Sequence, residues 1–474
     1  MKIFKRYQTS LLTGRGWAWV VGCLLLTSCG LYNKYERPDV NAKGLVRDAV
    51  NDADTLVVQD TASFGNLPWR EVFTDPQLQS LIEQGLEKNA NLLNAALNVQ
   101  MYEVMLKAAK LAFLPAVNIG STQPMGTIST THTDPSVTTK SYSLPVTATW
   151  TLDLFGNVLS QKRSTQMKLL GMKDYQMAVR ASLISGIANS YYTLLMLDEQ
   201  LRIVTEMSQM SKETWEMMQK QFELGRMRST SVQSAQASYL SMQTQINDFK
   251  RQIRATENAL SLLIGEAGHH IDRSTLGAQS LPTEFKTGVG VALLQNRPDV
   301  HQAEMTLASC FHDVQTARSK FYPSVTIGAS ATFSNANGAM NPGKWITSLF
   351  GSLTQPIFNR GALTASLKVS KLQYEQAFNN WQNAILKAGN EVSNALVNYN
   401  GYDANSQVEA QRIEVLTKNV EDTKALYQSS GSSYLEVLTA QQQLLSAQIN
   451  KATDDFNKMQ SVVSLYTALG GGGK

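Results

Sequence analysis

Ala112-Phe-Leu-Pro-Ala-Val-Asn-Ile-Gly120 returns as Lys320-Phe-Tyr-Pro-Ser-Val-Thr-Ile-Gly328, an offset of 320 − 112 = 208 residues. In both copies a helical pattern runs into a proline, which disfavours helix at the residue before it, and then into a β-branched alternating run that reads as a strand. Other landmarks keep nearly the same spacing. Leu154-Phe155 recurs as Ile357-Phe358, Val232-Gln-Ser-Ala-Gln236 as Val437-Leu-Thr-Ala-Gln441, and Gly265 as Gly470, at offsets of 203, 205 and 205. The chain is therefore read as a tandem duplication, each half running helix, strand, loop, strand, very long helix, tight turn, helix.

The strands carry a period of two. Tyr142, Leu144, Val146, Ala148, Trp150 and Leu152 alternate with Ser143, Thr147, Thr149 and Thr151. In the second half Val325, Ile327, Ala329, Ala331 and Phe333 alternate with small polar residues, and Trp345, Leu349, Leu353 and Ile357 share one parity. These runs have about the length a tilted strand needs to cross a bilayer, and the same alternation fits a half-buried soluble sheet. If they span a membrane, four strands per chain are too few, because the smallest transmembrane barrels have about eight. The barrel must then be shared: two chains give eight strands and a filled interior, whereas three give twelve and leave an aqueous lumen. Pro145 predicts a bulge or bend in its strand.

The helices are long. From Gly156 to Gly225 there is no strong breaker, and from Gly361 to Gly431 only the isolated Gly389 and Gly401. Each run would reach about 100 Å at 1.5 Å per residue. Asp75-Pro76 opens the first helix as N-cap and N1, and that helix is expected to continue to about Phe113. Together with a helix over 229–264 it would match one long helix in length. Val232, Ala235, Tyr239, Met242, Ile246, Phe249, Ile253, Thr256, Leu260 and Leu263 are spaced alternately three and four apart. So are Leu435, Leu438, Gln442, Leu445, Ile449, Ala452, Phe456, Met459, Val463 and Tyr466, which is left-handed coiled-coil spacing.

The chain has 474 residues, of which 43% are hydrophobic, enough for an ample core. Lys+Arg 42 against Asp+Glu 38 gives +4, but Lys2, Lys5, Arg6 and Arg15 lie in the first 28 residues, and 42 − 4 = 38 balances the acids. Nothing in this charge favours a nucleic-acid partner. Residues 1–28 read as a signal peptide with a basic start and the apolar run Trp17–Leu26, too short to span a bilayer. Leu26-Thr-Ser-Cys29 is similar to the bacterial lipoprotein signal, in which the cysteine becomes the acylated first residue. An ordinary secretory signal with an incidental cysteine is the alternative. Gly30, rather than aspartate, implies by that resemblance delivery to the outer membrane. With Cys23 in the leader and Cys29 acylated, Cys310 is left alone and no intrachain disulfide can form. A polar arm follows over 29–74, then repeat 1 over 75–265, an inter-repeat segment over 266–296, repeat 2 over 297–470 and a tail over 471–474.

The signal around Cys29, Trp69-Arg70 before Asp75-Pro-Gln-Leu78, Leu152-Asp-Leu-Phe-Gly156, Asn296-Arg-Pro-Asp-Val300, the Pro115 and Pro323 junctions and Ala468-Leu-Gly-Gly471 together carry a resemblance. They resemble the outer-membrane efflux channels of the TolC type, in the lipoprotein branch serving resistance-nodulation-division pumps. The resemblance implies a mixed α/β membrane protein: a homotrimer with a twelve-stranded transmembrane β-barrel, four strands per chain, continued by a periplasmic α-helical barrel. It implies a lipid-anchored outer-membrane location extending into the periplasm, a periplasmic adaptor and an inner-membrane pump as partners, and a passive gated duct exporting small molecules such as drugs. A type I protein-secretion duct would share the fold; a lipid-anchored periplasmic coiled-coil scaffold would lack the barrel.

No enzyme, metal or cofactor is expected, since there is no nucleophile elbow, Walker loop, dinucleotide fingerprint or HExxH. His269-His270 and the cluster Met207, Met210, Met217 and Met218 admit a metal reading beside solvated loop histidines and packing methionines. By the same resemblance the gate and adaptor-contacting tips are the two helix turns: Gly225, Arg226 and Arg228 in the first, and Gly431, Ser432, Ser433, Tyr434 and Glu436 at the second. Relatives often tie these tips with aspartates. Ser432 and Ser433 stand where acids often occur, leaving Arg226, Arg228, Tyr434 and Glu436 as candidate ties.

Overall fold

A computed structural model describes residues 34–39, 64–120, 142–282, 297–335, 344–429 and 433–473. Its helices are α1 (Trp69–Val72), α2 (Pro76–Lys88), α3 (Ala90–Leu111), α4 (Asn157–Glu223), α5 (Ser229–Leu263), α6 (Pro298–Ser319), α7 (Ala362–Gln428) and α8 (Tyr434–Ala468). Its strands are β1 (Ala116–Ile119), β2 (Tyr142–Leu152), β3 (Ser324–Asn335) and β4 (Lys344–Thr354). The duplication appears as matched elements. Helices α4 and α7 each have 67 residues, offset by 362 − 157 = 205. Helices α5 and α8 each have 35, offset by 434 − 229 = 205. The helices before the prolines, α3 and α6, each have 22, offset by 298 − 90 = 208. The chain divides into two compact units, each drawing on both repeats.

The first unit, which includes residues 99–172 and 303–381, holds the strands. They form one antiparallel sheet in the order β1-β2-β3-β4. Its central pair runs unbroken from Tyr142↔Asn335 to Leu152↔Val325. Period-two alternation in register puts Val146, Ala148, Trp150 and Leu152 on one face with Ala331, Ala329, Ile327 and Val325, and Leu349 and Leu353 extend it on β4. Hydroxyls line the other face, where Ser330 and Ser348 meet at 2.7 Å and Thr151 and Thr326 at 3.4 Å. The expected bulge at Pro145 is absent: Pro145 pairs with Thr332 in constant register. The reason is directional. A residue's N–H and C=O in a strand point to the same neighbour, and the Pro145 carbonyl accepts from Gly120 N at the end of β1. The missing N–H therefore falls on the β1 side and leaves the β2–β3 ladder whole.

The second unit includes residues 64–98, 173–282, 297–302 and 382–473. Val72, Phe73, Leu78 and Ile82 are buried there, as are Ile187, Tyr191, Leu194 and Leu195 of α4 and Tyr466 of α8. Phe64 and Phe73 meet the Tyr466 ring edge-on at 5.6 and 5.9 Å. Asp75 does cap α2, accepting from Gln77 N at 2.9 Å. Its other oxygen accepts from Tyr191, Ser274 and Gln279, which together hold its carboxyl below the usual range against the opposing effect of burial. The first helix does not run unbroken to Phe113. It stops at Asn89, whose side chain caps Asn91 N and Leu92 N while donating to Leu263 O at 2.9 Å. That tie to the end of α5 is tertiary, and it turns one long helix into two.

Helices α5 and α8 end alike. Gly265 and Gly470 take φ of +76° and +85°. Glu266 N then bonds Ser261 O, and Gly471 N bonds Tyr466 O, both at 2.9 Å. This is the Schellman closure, for which only glycine is unstrained. Arg297 of the Asn-Arg-Pro-Asp-Val motif locks the second closure, donating to Ala468 O at 3.0 Å while paired with Asp299 and Glu391.

Candidate functional site: the helix tips

The α4–α5 turn is a third such closure. Gly225 has φ +74°, its N–H reaches Phe222 O at 2.8 Å, and Arg226 N reaches Gln221 O at 2.9 Å. Reversal here leaves Arg226 and Arg228 exposed. Arg228 is the backbone N-cap of α5 and makes no side-chain cap bond. At the α7–α8 turn Gly431 and Ser432 lie outside the described residues. Ser433 is the N-cap of α8, and its carbonyl accepts from Glu436 N at 3.1 Å.

Tyr434, the first residue of α8, has an apolar setting. It packs with Trp215 and Met227 against a buried cluster of Met218, Val232 and Ala235. Trp215 in turn stacks on Tyr239, with ring centroids 5.8 Å apart and planes 11° apart. Burial, with Tyr427 nearby, pushes the Tyr434 hydroxyl up to about 12, so it stays protonated at neutral pH. The cluster draws on α4, the first turn, α5 and α8, and so joins the two tips within one chain. The structure thus brings Tyr434 and the first turn together through carbon rather than charge. Trp215 and Met227 were missed in the sequence reading; a tryptophan in the polar last turns of α4 and a methionine between two arginines were the available signals.

The other sequence candidates are accounted for locally. His270 Nδ1 lies 2.8 Å from Glu257, which also pairs with Arg273 at 2.7 Å, and Arg273 reaches Asp198 at 2.5 Å. His269 contacts Ser261 and the Ala267 carbonyl. Met207 and Met218 are buried in helix packing. Among the described residues no group of three or more His, Cys, Asp or Glu is placed to hold a metal. Burial raises the Cys310 thiol, which keeps it in the unreactive form. Cys29 lies outside the described residues.

A second functional feature is apolar surface. Leu349 and Leu353 on the apolar face of the sheet are 80% and 71% exposed, Trp345 on the same face is exposed with them, and Ile357 and Phe358 are exposed beyond the end of β4. On α3 the stripe Leu93, Leu97, Met101, Val104 and Met105 is also bare. No helix among the described residues is long and apolar enough to cross a membrane.

Comparison with known proteins agrees with this geometry. The family described as outer membrane efflux protein matches residues 81–266 and 289–471. The cation efflux system protein CusC of Escherichia coli O157:H7 is 28% identical over 454 residues, covering 95% of this chain and 97% of CusC. The probable outer membrane lipoprotein SilC of Salmonella typhimurium is 25% identical over 459 residues, covering 94% and 96%. A crystal structure of CusC, described in connection with folding and transmembrane channel formation, superposes with a TM-score of 0.82 at 25% identity, over 94% of this chain and all of that one. A duplicated chain with a four-stranded antiparallel sheet, two pairs of long helices and this likeness over nearly its full length is an outer-membrane efflux channel, a member of the outer membrane efflux protein family.

Proposed function

We propose that three copies of this chain close a twelve-stranded β-barrel in the outer membrane, continued through the periplasm by their α4–α5 and α7–α8 helices. One observation carries this reading: a four-stranded sheet whose outer strands, β1 and β4, have no further partner among the described residues, and whose apolar face is bare. In hydrocarbon every unpaired backbone group costs several kcal/mol, so such a sheet must close on itself or on copies. Pairing β4 of one copy with β1 of the next satisfies both edges, and three copies leave a lumen wide enough for solutes. The bare stripe on α3 supplies apolar surface for contact between copies.

In this reading repeats 75–265 and 297–470 are equivalent halves joined by 266–296, and residues 29–74 are an arm anchored in outer-membrane lipid through acylated Cys29. SilC, described as an outer membrane lipoprotein, supports that anchor. The tube is a passive duct for small molecules with no catalytic step. Energy and cargo choice come from an inner-membrane resistance-nodulation-division pump, joined through a periplasmic adaptor that engages the tips. The tips are the gate: Gly225, Arg226, Arg228, Gly431, Ser432, Ser433, Tyr434 and Glu436 from three copies converge, with the Trp215–Met227–Tyr434 packing holding each copy's two turns as one piece. Purified protein added to planar bilayers should give discrete conductance steps. A coiled-coil scaffold would give none, and that result would reject the duct.

A further inference from the structure

Residues 34–39 belong to the first unit and meet α6 at two points. Arg37 forms a two-pronged ion pair with Glu304 of α6, Nε to Oε1 at 2.7 Å and Nη2 to Oε2 at 2.5 Å. The Glu304 side chain is only 5% exposed. A buried carboxylate needs a partner, and the bidentate guanidinium is the form of partner that best matches it. Two residues earlier the Tyr35 ring stands edge-on to Phe311, 5.8 Å away. The tyrosine hydroxyl oxygen is buried. Burial first, then the nearby Glu304 and Tyr374, push the Tyr35 hydroxyl's pKa up, so it stays protonated. Pro38 follows, limiting the backbone freedom of the segment. Spacing matters here: in an extended chain, residues two apart project to the same side, so Tyr35 and Arg37 can enter one surface together.

We propose that Glu304, Phe311 and Tyr374 form a docking site for the chain's own Tyr35-Glu36-Arg37-Pro38, which makes the N-terminal arm a strap fixed to the strand-bearing unit. Resting on the reading that Cys29 is acylated, the strap has a positional consequence. Cys29 lies six residue steps before Tyr35 (35 − 29 = 6). At about 3.5 Å per residue they reach at most roughly 20 Å, so the acylated end is confined to the neighbourhood of α6. The lipid then anchors the strand-bearing unit itself rather than a loose tether.

Hydrogen–deuterium exchange of the peptide spanning 34–39, in purified full-length protein in detergent, tests this. The wild type should exchange at least tenfold more slowly than an unstructured peptide of the same sequence. Glu304→Gln and Arg37→Ala should each remove most of that protection while α6 peptides stay protected, and Arg37→Glu with Glu304→Arg should restore part of it. Cys29→Ser should keep the protection, because side chains rather than lipid hold the strap. Free exchange in the wild type, or protection that survives both single variants, would overturn the proposal. So would protection lost in Cys29→Ser alone. If palmitate fails to label the wild type while the strap is protected, the acylation reading falls and the docking site stands.

Discussion

If the tips are the gate, as proposed, truncating Tyr434 to alanine should loosen it through packing. Removing a fully buried aromatic side chain costs about 3–5 kcal/mol. Tyr434 is only partly buried against Met218, Val232 and Ala235, so about half of that, roughly 2 kcal/mol, applies per copy. At 1.4 kcal/mol per decade this is about a thirtyfold shift in the balance between joined and separated tips. Tyr434→Phe keeps the ring in place. Since the contacts that define its setting are apolar, that variant should behave as wild type, and Arg228→Ala alone should have a smaller effect than Tyr434→Ala. Adding Arg228→Ala to Tyr434→Ala should raise conductance further, as expected if exposed arginines contribute only surface ties. Single-channel recording in planar bilayers is the assay, with sensitivity of cells to a large antibiotic such as vancomycin as its counterpart in vivo. Two results would refute the reasoning: an assembled Tyr434→Ala protein with wild-type conductance and antibiotic sensitivity, or Tyr434→Phe opening the channel as far as alanine does.

Cys29→Ser should abolish labelling by radioactive palmitate while the barrel still assembles, since closure depends on strands; continued labelling would remove Cys29 as the anchor. Gly265→Ala should destabilise by about 1–3 kcal/mol from its left-handed backbone, with a further penalty because the new methyl would meet Lys88 O at 2.9 Å; an unchanged thermal midpoint would contradict this. Acid stability follows from the carboxylates. Burial acts to raise Asp75 and Glu257, but hydrogen bonds and, for Glu257, the Arg273 charge outweigh it, so both titrate below their ordinary values when folded. Their contribution is therefore fully present above the ordinary carboxylate range of about pH 4 and is lost as pH falls through the lower folded values. The fall in thermal midpoint below about pH 4 should be less steep in Glu257→Gln than in the wild type.

Much of the architecture was legible because it is written in local chemistry. Glycine at 156, 225, 265, 361 and 470 stands where the backbone turns to positive φ, and those positions bound the long helices at the repeat offset. Alternation in Tyr142–Leu152 predicted both the strand and its apolar face. What stayed hidden depends on contacts distant in sequence. Asn89 breaks a helix without glycine or proline because Leu263 O lies beside it. Pro145 is harmless only because its N–H side faces the end of β1. The stripe expected on α8 was out of phase near the tip: Leu435 and Gln442 are exposed, while Val437, Ala440 and Leu444 are buried. Tyr434 looked like a polar tie because residue type alone does not say which side of a tyrosine the fold will use.

The central claim is that one chain supplies a third of a closed barrel, and the most direct measurement is native mass spectrometry of the pore-forming species released intact from detergent. A trimer carrying the conductance, with no conducting smaller species, is the predicted result. A stable monomer or dimer with full pore activity would contradict it, because four strands or eight would then form the pore that the proposal builds from twelve.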